Sequence, residues 1–146
     1  MDNKLYEIFN EKNVIIENKD MTWQEAVKIA SEPLLKEGKI TDVYVENMMK
    51  NVEVNGPYMV LTDYFALMHA KAGEGVNEVS MSLLVNNKNI DLEGKPVRIF
   101  MVLASVDKSS HLEYLQKISE ILLDEDNFNT ILHGEKEKIL QILKNN

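Results

Sequence analysis

The stretch "VRIFMVLASV", residues 97–106, places the tightest limit on how this chain can fold. Only Arg98 and Ser105 interrupt it, and it has no polar–apolar alternation. A strand of that kind must be covered on both faces, at the centre of a sheet lying between two other layers. "YMVL" (58–61) and "VSMSLLV" (79–85) read as further strands, and "NVIIE" (13–17) as a short one. "NNKN" (86–89) and "EGKP" (93–96) read as turns. A hairpin is therefore expected around "NNKNIDLEGKP", which makes the sheet mixed.

The covering layers are legible as helices. "LYEIF" suggests a short first one. In "MTWQEAVKIASEPLLKEGKI" the residues Trp23, Ala26, Val27, Ala30, Leu34 and Leu35 share one helical face. Thr22 and Glu25 form a T-x-x-E capping box, Gly38 can end the helix, and Pro33 is expected to kink its last turn. "TDVYVENMMKNVEVNG" repeats the pattern, with Thr41 as the cap and Tyr44, Val45, Met48, Met49 and Val52 facing inward. Beyond the strands, "SSHLEYLQKISEILLDEDN" aligns Leu112, Leu115, Ile118, Ile121 and Leu122, and "FNTILHGEKEKILQILKNN" reads as two short helices broken at Gly134. Helices before and after a cluster of strands predict an α/β fold. At 146 residues one domain over 1–146 is expected, with a central mixed β-sheet flanked by helices on both faces.

Composition removes several function classes. The chain has no cysteine, so disulfides, thiolate zinc sites and a cysteine nucleophile are excluded. A net charge of −8 with scattered Lys and Arg opposes binding to nucleic acid or anionic membrane. The start "MDNKLYEIFN" lacks the basic-then-apolar pattern of an export signal, and no apolar run is long enough to span a bilayer. A soluble cytoplasmic protein with no membrane insertion is expected. H-E-x-x-H, G-x-x-x-x-G-K-[ST] and G-x-S-x-G are all absent, and the histidine spacing fits no metal-ligand motif. No metal or cofactor is expected.

Three histidines remain. His133 precedes Gly134 at a helix end, where the dipole favours it, and no chemistry is assigned to it. His69 closes "YMVLTDYFALM" and is followed by "AKAGEGV", which removes bulk on one side of the ring and leaves a nitrogen within reach of a partner. A half-buried structural histidine followed by turn glycines fits the same residues. Ser110 and Glu113 read as a capping box, which puts His111 in the first turn of a helix. Unpaired amides and the positive dipole there attract a phosphate; an exposed residue without a role fits equally. Together the two histidines suit phosphoryl transfer. A neutral imidazole attacks phosphorus when its other nitrogen is held, and a second histidine with helix-terminal amides balances the charge. His69 and His111 lie 42 positions apart, so their meeting is an expectation about the fold.

With these residues in view, "GPYMVLTDYFALMHAKAGEGVNEVSMSLLV" resembles the active-site region of EIIA components of the bacterial sugar phosphotransferase system. The match is to the mannitol/fructose-type superfamily, and "GPYMV" and "HAKAGEGV" are most similar to its ascorbate- and galactitol-type branch. "TWQEAVKIASEPLLKEGKITDVYVENMMKNV" looks like the family's paired helices, and "VRIFMVLASVDKSSHLEYLQKISEIL" like its later strand–helix segment. The resemblance implies a phosphotransferase component with a phosphohistidine intermediate. Such a component accepts phosphate from the phosphocarrier protein HPr and passes it to EIIB, which serves the sugar entering through a membrane EIIC. It further implies that His69 is phosphorylated, that His111 supports the phosphoryl group, and that Lys50 stands where some members carry Arg. Met68 departs from the usual Pro before the active histidine, and Lys71 follows where a basic residue is common. An apolar docking face with an acidic rim, suited to a basic partner, is expected. A regulatory module, whose phosphorylation state controls binding to another protein, is the alternative.

Overall fold

The computed structural model describes residues 5–146. The first four residues, on which part of the export-signal reading rests, lie outside it. The elements in chain order are α1 (Leu5–Ile8), β1 (Val14–Glu17), α2 (Trp23–Lys36), α3 (Asp42–Asn55), β2 (Val60–Thr62), β3 (Tyr64–Met68), β4 (Ser80–Leu92), β5 (Lys95–Ala104), α4 (Leu112–Leu123), α5 (Glu125–His133) and α6 (Lys136–Lys144). Among the described residues no helix is long and apolar enough to cross a membrane.

The strands form one five-stranded sheet in the order β1-β4-β5-β3-β2. β5, which carries the apolar run from Val97, lies at its centre. It pairs antiparallel with β4 and parallel with β3. β1 lies parallel to β4 and β2 antiparallel to β3, so the sheet is mixed as expected. Phe100, Val102 and Ala104 face a core built with α2 and α3, including Ala26, Ala30, Leu34, Met48 and Val52. Ile99, Met101 and Leu103 face the opposite core, built with Leu5 and Ile8 of α1, Ile118 and Ile121 of α4, Ile131 of α5 and Ile139 and Leu143 of α6. Burial on both faces is why β5 carries no alternation. One sheet and its two covering layers form a single α/β domain.

The helix boundaries follow local chemistry. The Thr22 hydroxyl accepts from Glu25 N at 3.1 Å and caps α2. Pro33 stays inside the last turn of α2, where Glu37 N still reaches Pro33 O at 3.2 Å. Gly38 ends that helix at φ +70 and Gly134 ends α5 at φ +76, a region that favours glycine.

Four local expectations are corrected. The "NNKN" segment is not a turn. β4 runs through it, and the irregularity is confined to a bulge between Val85 and Ile90. The fully buried Asn86 amide bonds Lys19 O and Lys88 O, each at 2.9 Å, and satisfies the backbone that a bulge exposes. The hairpin reverses at Glu93–Gly94, both with positive φ, inside the expected "EGKP" turn. "YMVL" gives a strand only from Val60, and a second strand, Tyr64–Met68, follows at once because Tyr64 at φ +65 reverses the chain. β5 stops at Ala104, leaving Ser105 and Val106 beyond it. Thr41 occupies the cap position of α3, but its side chain makes no cap bond; its N–H donates to Gly75 O at 2.9 Å.

Candidate functional site

β3 and β5 run parallel, with Met68 opposite Val102, so their carboxyl ends lie side by side. His69 is the first residue past β3. Ser105 is the first past β5, and His111 stands at the N-cap of α4. The loop after His69 is tied to the segment after β5 by Gly73 N donating to Ser105 O at 2.9 Å. Both histidines are thus brought to one end of the sheet. This is a usual place for a ligand site in an α/β protein, because loops there are held by strands but are free of the ladder.

His69 is half-buried, and its Nδ1 lies 2.9 Å from Leu67 O. A carbonyl can only accept, so Nδ1 carries the proton and the neutral ring has its lone pair on Nε2. The Tyr58 ring meets His69 edge to face, with centroids 6.1 Å apart. Tyr58 is held in turn by Asn51 Nδ2, at 2.8 Å from its hydroxyl. Met68 is fully buried and keeps a regular ladder position opposite Val102.

His111 is also half-buried, and its Nδ1 lies 3.0 Å from Ser105 Oγ. Ser105 gives its only hydroxyl proton to the Asp107 carbonyl, so it accepts from both His111 Nδ1 and Ser110 Oγ. The tautomer of His111 therefore matches that of His69, with Nε2 unprotonated in the neutral ring. The expected capping box of Ser110 and Glu113 is not formed, because the cap position belongs to His111 and the Ser110 hydroxyl turns to Ser105. The loop is organised by Asp107 instead: its Oδ1 accepts from Ser109 N at 2.9 Å and Ser110 N at 2.7 Å. The Ser109 amide first, then Ser110, hold the Asp107 carboxyl below the ordinary aspartate value.

Lys50 and Lys71 are exposed and line a shallow hollow that also contains Ala70, the residue after His69. Lys71 pairs with Glu74 at 3.8 Å. His133 ends α5 far along the chain from this loop cluster, before Gly134. Exposed Val54, Tyr58, Val106 and Leu112 surround the site. Among the described residues no three His, Asp or Glu side chains gather in a way that would hold a metal ion. Sequence reasoning missed Ser105, Tyr58 and Tyr44. Tyr44 was read as core, and it is buried, yet its hydroxyl reaches Ala70 N at 3.1 Å and Leu103 O.

The sequence model of one family, "Phosphoenolpyruvate-dependent sugar phosphotransferase system, EIIA 2", matches residues 7–146. The chain belongs to the EIIA 2 family. The ascorbate-specific PTS system EIIA component of Escherichia coli (strain K12) is 31% identical over 124 residues, which span 82% of this chain and 80% of that one. The solution structure of the mannitol-specific cryptic phosphotransferase enzyme IIA from Escherichia coli superposes with a TM-score of 0.90 at 24% identity, covering 99% of this EIIA and 100% of that chain. The mannitol enzyme IIA from Escherichia coli, solved in complex with phosphorylated enzyme IIB, superposes with a TM-score of 0.79 at 19% identity, covering 94% and 98%. EIIA components of this family are phosphotransferase proteins, and the chain shares its fold with these solved IIA structures.

Proposed function

We propose that this EIIA accepts a phosphoryl group from HPr on Nε2 of His69 and passes it to an EIIB component, which serves sugar uptake through a membrane EIIC. The observation that carries this reading is the bond from His69 Nδ1 to Leu67 O. It fixes the tautomer in which Nε2 is the nucleophile. The Nε2 lone pair forms the new N–P bond as the N–P bond of the donor phosphohistidine breaks, and the donor ring leaves with that electron pair. No proton has to move. The His69 ring gains positive character, which strengthens its donation to Leu67 O.

His111 supports the phosphoryl group. Held at Nδ1 by Ser105, it presents Nε2, which in the protonated ring donates to a phosphoryl oxygen. Lys50 adds positive charge from the flank. The exposed apolar residues Val54, Tyr58, Val106 and Leu112 suit docking of a protein rather than enclosure of a small molecule. The solved complex of the mannitol IIA with its phosphorylated IIB supports an EIIB as the recipient.

The test is incubation with phosphorylated HPr, followed by mass measurement. The chain should gain one phosphoryl group, and His69→Ala should gain none. His111→Ala should still be labelled but pass the group on more slowly. Equal labelling of His69→Ala would overturn the assignment.

A further inference from the structure

The ladder between β3 and β5 ends at Met68 opposite Val102, although β5 continues to Ala104. Leu67 N donates sideways to Met59 O at 2.9 Å, on the β2 side of β3. Successive amides of a strand alternate in direction, so the N–H of Ala70 points at β5. With the register continued, Ala70 would face Ala104, and a parallel ladder would send its N–H to Leu103 O. That bond is not made. The Tyr44 hydroxyl stands between the two groups, accepting from Ala70 N at 3.1 Å and donating to Leu103 O. A side chain from α3 has been inserted as a rung of the sheet. The rung lies directly after His69 on one strand and two residues before Ser105, the holder of His111, on the other.

We propose that Tyr44 is a positioning residue for phosphoryl transfer: its hydroxyl, inserted between Ala70 N–H and Leu103 C=O, holds the ends of β3 and β5 at the separation that presents His69. His69 is then bracketed. Its ring is fixed on the β2 side by Leu67 O, and the backbone after it is fixed on the β5 side by Tyr44. Without the hydroxyl, Ala70 N–H and Leu103 C=O either close into a direct rung, which draws His69 toward β5, or are left unpaired, which releases the backbone after it. Tyr44 is buried, at 1% exposure, so water cannot readily replace the hydroxyl. Burial also pushes its ionisation up to about 12, against the opposing pull of the Ala70 N–H, so it remains a donor at neutral pH.

The inference rests on His69 being the phosphoryl acceptor, and the experiment separates the two. The 15N-labelled full chain, its Tyr44→Phe variant and an Ile139→Val control from the opposite core are compared well below their melting midpoints. Ring nitrogen shifts of His69 report its tautomer without any donor, and phosphorylated HPr then gives kcat and KM. Tyr44→Phe should shift the Ala70 amide, mix the His69 tautomers and lower kcat at least about tenfold with KM unchanged, because small displacements of a reacting atom cost that much or more. The control should change in stability alone. A folded Tyr44→Phe with wild-type tautomer and kcat overturns the proposal. If wild type takes no label, the acceptor reading fails, and the tautomer comparison still decides whether Tyr44 positions the ring. If Tyr44→Phe does not fold, 3-fluorotyrosine at position 44 keeps the hydroxyl but weakens it as an acceptor. Ala70 and His69 resonances should then move, and unmoved resonances overturn the proposal.

Discussion

Ser105 decides what His111 can do. Its proton goes to the Asp107 carbonyl, so its oxygen must receive the His111 Nδ1–H. Ser105→Ala removes that acceptor and frees the ring to turn or change tautomer. Onward transfer to EIIB should slow by roughly tenfold, less than the roughly hundredfold or more that losing a directly acting group costs, because Ser105 acts only through His111, while His69 still takes label. Rapid-quench measurement of the two half-reactions checks this, and equal rates in both would remove Ser105 from the mechanism. His69 and His111 could be singled out as candidates in the sequence because histidine is rare here and its chemistry narrow. Ser105 and Tyr44 were not, because a hydroxyl acquires a role only from the groups it meets, and those lie far away in the chain.

At the level of elements, α3 is carried against the histidine loop by a close approach at Gly75. A Cβ there would lie 2.7 Å from Tyr44 N and 3.0 Å from Thr41 Oγ1, at φ +75. Gly75→Ala should cost about 1–3 kcal/mol through backbone strain, read as a lower urea midpoint. An unchanged midpoint would mean that the loop yields freely. The Tyr44 hydroxyl ties the same helix to β5 and gives a pH signature. Its folded value is raised to about 12, above the ordinary ~10 of an unfolded chain. The stability it contributes is present below ~10 and is lost as pH rises through the folded value. Two units correspond to roughly 2–3 kcal/mol. Between pH ~9 and ~12 wild type should lose about that much more stability than Tyr44→Phe; parallel losses would contradict it. The amphipathic helices were readable because their spacing alone sets the buried face. The strand through "NNKN" was not, since polar residues that look like a turn are satisfied by the Asn86 amide folding back.

For the molecule as a whole, the net charge of −8 meets an apolar patch at the end of the sheet. Exposed Glu53, Glu74 and Asp107 lie in the segments around that patch, and under the proposed function they would draw in a partner with basic residues near its own histidine. Phosphorylation by HPr should therefore slow by about tenfold as salt rises from ~0.01 M to ~1 M, as the screening length shrinks from ~30 Å to ~3 Å. A flat salt profile would rule out steering.

The α/β class and the doubly covered central strand followed from sequence alone, because apolar spacing is a local property; the histidines stood out there only as candidates. The parallel pairing of β3 with β5, the rung supplied by Tyr44 and the gathering of His69 and His111 at one end of the sheet were decided by tertiary structure. Strand order and register arise from packing two cores against opposite faces at once, and no local stretch of the chain encodes that sum.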